Sequence, residues 1–167
     1  PGAALAIYHT AKPEKKKVTG GVMFSVALTA FLTGITEPLE YAFAYVAFPL
    51  YLVHAILTGT SLALVNALGI KDGFGFSAGL TDYIINFGRA AQLSGGPGKV
   101  LLLLVIGLAY GVIYYFVFRF AITRWQLHTP GREEDGESAA AASVFDEAQV
   151  AAEASTGKKA AKDEGRV

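Results

Sequence analysis

Residues 100–122 run VLLLLVIGLAYGVIYYFVFRFAI, with Arg119 as the one charged side chain in the stretch. A helix rises about 1.5 Å per residue and a bilayer's hydrocarbon core is about 30 Å thick, so a run of this length crosses it. Arg119, Arg124 and Trp125 close the run with side chains suited to snorkelling and to the lipid interface. No other feature constrains the chain as strongly: it reads as an integral membrane protein, and a 53% hydrophobic content agrees.

Length then sorts the other apolar segments. Residues 39–68 are long enough to cross and contain Pro49 and His54, so we expect a second span, tilted or kinked at the proline. Residues 22–33 make only about 18 Å of helix, roughly half the hydrocarbon thickness, and are expected to enter the membrane without leaving the far side. Residues 73–87, GFGFSAGLTDYIINF, are similarly short, glycine-rich, and carry Asp82 and Asn86; they read as a second partly submerged segment. The fold class expected is all-α integral membrane, with transmembrane helices plus a re-entrant hairpin.

Lysine and arginine set the orientation. Both the AKPEKKK loop (Lys12, Lys15, Lys16, Lys17) and the Arg119/Arg124 end read as cytoplasmic, which requires an even number of crossings between them. Two spans plus re-entrant elements satisfy that condition. Up to residue 131, nine Lys/Arg stand against five Asp/Glu; from 132 onward the balance is five against nine. We therefore divide the chain into a membrane part, 1–131, and an acidic, Ala/Glu/Ser/Lys-rich cytoplasmic tail, 132–167, expected to be disordered apart from a short helix near 144–153. The opening PGAALAIY has no initiator Met, basic n-region or cleavage site; it reads as the end of a helix, so the sequence is expected to be the C-terminal part of a larger membrane protein.

Chemistry concentrates in GITEPLE, residues 34–40. Pro38 disfavours the α conformation at Glu37 and has no N–H of its own, so the backbone is expected to break at the glutamate. Non-helical backbone at membrane depth persists only where protein buries it or where it lines a watery cavity, and an ionisable group there marks a functional site. Broken helices also build the substrate sites of secondary transporters. The alternative is an interfacial turn in which Glu37 and Glu40 face water or lysines and Pro38 begins the next helix. Glu40 is either a second site residue or a helix-start carboxylate at a positive dipole end.

Other candidates carry less. Tyr41, Tyr45 and Phe48 follow at helical spacing, which suits stacking on a sugar ring and equally suits membrane packing. His54, inside a span, is expected to hydrogen-bond a neighbouring helix. His9 and His128 lack ligand partners at metal spacing, so no metal or cofactor is expected. GFGFSAG lacks the strand-to-helix setting and GK[ST] ending of a phosphate loop. The basic loop has no interleaved aromatics, so charge bias explains it better than nucleic-acid binding. There is no cysteine, so thiol chemistry belongs to another chain.

Taken together, GITEPLEYAF, AIYHTAKPEKK, FGFSAGLTDYIINF and RWQLHTPGREED resemble the membrane component, enzyme IIC, of the bacterial sugar phosphotransferase system, in its glucose and N-acetylglucosamine branch. The resemblance covers roughly residues 1–135. It implies a multi-pass, homodimeric sugar permease of the bacterial inner membrane with a cytoplasmic C-terminus, embedded in lipid, whose substrate binds in the C-terminal half of the IIC domain. It implies that the GITEP segment is the tip of a re-entrant hairpin, that Glu37 contacts the primary hydroxyl to be phosphorylated, and that Gly34, Ile35 and Thr36 shape the site. The phosphoryl donor would be a phosphocysteine on IIB, here expected to be a separate protein because a low-complexity tail follows the TPGRE stretch. Such a chain is a component of a phosphotransferase and not a complete enzyme. FSAGLTDYIINF favours N-acetylglucosamine over glucose. The competing readings are an ion-coupled sugar symporter with Glu37 as proton carrier, and a non-transporting scaffold or sensor whose tail binds a partner.

Overall fold

The computed structural model describes residues 1–133, and among these every regular element is a helix. Helices α1 (Gly2–Thr10), α2 (Lys16–Thr33), α3 (Glu37–Ala44), α4 (Phe48–Ala67), α5 (Leu80–Ser94) and α6 (Pro97–Arg124) follow in order. Residues Pro1–Arg132 form one compact unit. The tail's expected short helix near 144–153, and all of the tail beyond 133, lie outside the described residues.

Two of these helices are long and apolar enough to cross a membrane, Phe48–Ala67 and Pro97–Arg124. They overlap the two segments expected from length to cross. Their side chains are mostly exposed: in α4 the buried residue is Leu50, and in α6 they are Val100, Phe118, Ala121 and Ile122. The core helix of a soluble domain buries a broad apolar stripe; these two turn most of theirs outward.

Small residues pack α1 onto α6. Ala3, Ala4, Ala6 and Ile7 are buried against Phe118, Ala121 and Ile122, and a Cβ added to Gly2 would collide with the Gly111 carbonyl oxygen. The helices run the same way, because Gly2 lies beside Gly111 while the Lys12 N–H donates to the Gly131 carbonyl at 2.9 Å and the Arg132 guanidinium donates to the Thr10 carbonyl at 3.1 Å. The AKPEKKK loop and the end of α6 thus occupy one end of the unit, the end that the charge bias groups together.

From this basic end α2 runs out, and its course differs from expectation. The segment anticipated at 22–33 begins at Lys16, because Lys16, Lys17 and the small residues after them continue a helix as readily as apolar ones do; apolarity measured only the part suited to lipid. Gly34, in the left-handed region at φ 77°, ends α2. The chain turns through Ile35 and Thr36 and returns as α3, whose Phe43 joins Met23 of α2 in one buried cluster. A hairpin with Gly34 to Thr36 at its tip results.

Residues 39–68 are likewise not one kinked helix. They form two, separated at Tyr45 to Ala47, with Ala47 at φ −143°, ψ 60°. Pro49 cannot donate to the Tyr45 carbonyl and its ring crowds that oxygen, so a continuous helix opens there and the proline serves the first turn of α4. The partly submerged segment at 73–87 resolves into a loop followed by α5, which begins at Leu80 and continues to Ser94. Ser94 ties the loop after α4 to the end of α5, accepting from the Lys71 N–H at 2.8 Å and donating to the Lys71 carbonyl at 3.1 Å.

Candidate functional site

The hairpin tip is seated on glycine. A Cβ at Gly34 would lie 2.6 Å from the Ala78 carbonyl carbon and from the Gly79 nitrogen, and a Cβ at Gly79 would meet the backbone of Thr33 and Gly34. Thr81 adds a hydrogen bond from Oγ1 to the Leu32 carbonyl at 2.9 Å. Two chain reversals thereby touch backbone to backbone, which only residues without side chains permit.

The loop beneath the tip is held by Asp82. Its carboxylate accepts the backbone N–H groups of Ser77 at 2.7 Å, Phe76 at 2.9 Å and Gly75 at 3.3 Å. The GFGFS backbone is therefore an anion cradle filled by the protein's own side chain. The N–H groups of Ser77 and Phe76 lower the Asp82 carboxyl below its ordinary 3.8. Burial, with the Asp82 charge added, pushes Asp72 upward.

Each residue anticipated at the site can now be placed. Gly34 ends α2, and Ile35 is half-buried with its N–H donating to Thr33 Oγ1 at 3.2 Å. Thr36 is the N-cap of α3. Glu37 is the first residue of α3, so the expected break falls one turn before it, at Gly34 to Thr36, and not at the glutamate. Pro38 explains the shift, since proline is well accommodated in the first turn, where its missing N–H has no intrahelical partner to lose. The Glu37 side chain is exposed and makes no hydrogen bond or ion pair among the described residues.

Glu40, in the first turn of α3, is bound on both sides. One oxygen, Oε1, accepts the Thr36 hydroxyl at 2.6 Å and lies 3.4 Å from His54 Nε2. In a continuous helix, residues 14 positions apart would sit about 21 Å apart; the reversal at Tyr45 to Ala47 brings them together. On its other side, His54 Nδ1 lies 3.0 Å from the Tyr114 hydroxyl, which is also 3.0 Å from Thr58 Oγ1 and donates to the His54 carbonyl at 3.2 Å. His54 thus bonds a neighbouring helix as expected, and it also reaches Glu40. Phe43 and Tyr51 flank its ring at centroid distances of 6.0 and 6.3 Å.

The aromatic face anticipated after the motif is divided by the helix break. Tyr41 and Tyr45 pair at 5.7 Å, Phe48 stacks instead on Tyr51 at 6.2 Å, and Tyr41, Tyr45 and Phe48 are exposed. His9 lies elsewhere, 3.0 Å from the Tyr115 hydroxyl. Among the described residues no group of three or more His, Asp or Glu side chains is placed to hold a metal ion. A concavity of about 1500 Å³ lies between α1, α2 and α6 with Leu5, Met23, Phe24 and Leu108 in its wall; neither Glu37 nor Glu40 lines it.

The arrangement defines a helical membrane protein with two candidate spans and a free carboxylate on a hairpin tip, braced by a polar network from α3, α4 and α6. Residues 1–59 match the family model for the phosphotransferase system, EIIC. The chain is 52% identical over 135 residues, or 81% of its length, to the PTS system N-acetylglucosamine-specific EIICB component of Bacillus subtilis (strain 168). A stretch of that length cannot miss residues 33–135, so it includes GITEPLE, Asp82 and the α4 and α6 residues around His54. The chain belongs to the phosphotransferase system EIIC family. It spans about 28% of the length of that relative.

Proposed function

We propose that this chain forms part of a sugar permease of the phosphoenolpyruvate-dependent phosphotransferase system, one that binds N-acetylglucosamine and presents it to phosphorylated IIB. The observation that carries the reading is the 52% identity to an N-acetylglucosamine-specific EIICB component across a stretch that includes the whole hairpin tip. That relative's name joins the C and B components, which supports a IIB partner on the same or another chain. The basic end formed by the AKPEKKK loop and the end of α6 faces the cytoplasm, by the positive-inside bias. The protein works as a homodimer in the bacterial cell membrane, as the family resemblance implies.

Chemically, the Glu37 carboxylate is the catalytic group. It accepts a hydrogen bond from the sugar's primary hydroxyl and takes its proton as the oxygen attacks phosphorus; the O–P bond forms, the S–P bond of the IIB phosphocysteine breaks, and the thiolate leaves with the electron pair. Gly34, Ile35 and Thr36 place the backbone from which Glu37 projects. Little covalent work falls to the protein in such a transfer, so holding the hydroxyl in line is the larger part of the task.

The test is radiolabelled sugar phosphorylation by membranes carrying the full-length protein, supplied with phosphorylated IIB and compared across N-acetylglucosamine, glucose and maltose. N-acetylglucosamine phosphate should dominate, and Glu37→Gln should insert normally while losing most phosphorylation. Wild-type rates in Glu37→Gln would end the assignment of that residue. Uptake that persists without IIB and collapses with the proton gradient would replace phosphoryl transfer by ion-coupled symport.

A further inference from the structure

We propose that Glu40 is a positioning residue, braced by His54, which holds the Thr36 hydroxyl and through it the tip backbone from which Glu37 projects. The inference rests on the phosphotransfer reading of Glu37 given above. It begins with an oddity of the α3 cap. An N-cap threonine ordinarily spends its side-chain oxygen on an amide of the first turn, but Thr36 makes no such bond. The second residue of the helix is Pro38, which has no N–H, and the Leu39 and Glu40 amides are taken by the Thr36 carbonyl at 3.0 Å each. The hydroxyl is free to donate, and it does so to Glu40 at 2.6 Å, the short distance of a charge-assisted bond.

Glu40 is in turn fixed from outside its own helix. His54 from α4 lies 3.4 Å from the same oxygen, and Tyr114 from α6 reaches it through the His54 ring; Glu37 shares the first turn of α3. This chain of contacts tolerates either state of the imidazole. With His54 neutral and protonated at Nε2, the Tyr114 proton turns from the His54 carbonyl to Nδ1 and the hydroxyl accepts from Thr58; with His54 charged, Nδ1–H donates to Tyr114, whose proton goes to the His54 carbonyl or to Thr58. In both states Nε2–H faces the carboxylate. The tip is therefore tied to both spanning helices by side chains that a helix-capping role alone would not require, since polar groups in such segments are costly to retain.

The full-length protein in membranes, supplied with phosphorylated IIB, tests this with Glu40→Gln, His54→Gln, the double variant and Glu37→Gln. A hydrogen bond to a charged group contributes about 1.5–3 kcal/mol, so each single variant at 40 or 54 should lose about tenfold or more in kcat per inserted molecule. KM for N-acetylglucosamine should stay within about twofold, because the sugar's own contacts remain. The double variant should be no slower than the slower single one, since both act through one network. An Ile35→Cys probe should label faster with a maleimide when combined with Glu40→Gln, which reads the tip directly. Wild-type kcat in Glu40→Gln beside an inactive Glu37→Gln would overturn this inference and leave the phosphotransfer reading standing. So would multiplicative losses in the double variant, or a rise in KM with kcat unchanged. A wild-type protein that phosphorylates no sugar would remove both.

Discussion

Replacing Gly34 by alanine should unseat the hairpin tip. Gly34 has φ 77°, and a residue with a Cβ pays about 1–2 kcal/mol for that left-handed conformation. The added carbon would also lie 2.6 Å from the Ala78 carbonyl carbon, 2.6 Å from the Gly79 nitrogen and 2.7 Å from Ser77 Oγ. Two of these neighbours are backbone atoms that cannot rotate aside, and the loop carrying them is pinned by the three amides that Asp82 accepts. Overpacking of this kind costs about 1–3 kcal/mol. Together the two terms come to about 2–5 kcal/mol, or more than an order of magnitude in the equilibrium between a seated and a displaced tip. Thermal unfolding of the full-length protein in detergent should show a clear fall in midpoint, accompanied by a drop in sugar phosphorylation. Gly21→Ala is the control: its Cβ meets nothing within 4 Å on a helical stretch, so it should gain up to about 1 kcal/mol. If Gly34→Ala unfolded at the wild-type temperature or above it, the contact between residues 34 and 79 would not exist as described.

Other expectations follow from the packing and the loop. Phe118→Ala removes a fully buried ring that meets Phe43 edge-to-face at 5.2 Å and should cost about 3–5 kcal/mol, read as a lower unfolding midpoint. Tyr114→Phe leaves His54 Nδ1 and Thr58 without their shared partner and should cost about 1–3 kcal/mol by the same measurement. Asp82→Asn should speed amide exchange at Gly75, Phe76 and Ser77. Because the Asp82 pKa is lowered in the fold, its contribution is complete above its ordinary 3.8 and is lost as pH falls through the lower folded value, so exchange at those amides, corrected for intrinsic rates, should rise on acidification below about that pH.

The sequence stated some of this plainly. The two spans were legible because crossing a bilayer is a matter of apolar length, a property that each segment carries by itself. So was the interruption near GITEPLE, since proline and glycine act on their own backbone; its placement slipped by one turn because Pro38 fits a first helical turn as well as a break. The start of α2 was missed for the opposite reason, because lysines and small residues give no apolar signal while remaining helical.

Pairings between segments were decided by tertiary structure alone. Glu40 and His54 stand 14 residues apart, and nothing in their spacing joins them until the chain reverses at Tyr45 to Ala47. GFGFSAG lacked the marks of a phosphate loop, and only the fold shows its amides turned to Asp82, from the first turn of α5. The contact of Gly34 with Gly79 depends on two turns distant in sequence approaching within the width of a backbone. Apolar length and backbone stiffness belong to single segments and can be read one residue after another. Which carboxylate faces a histidine, and which one is left free at the tip, depends on where the reversals lay those segments side by side.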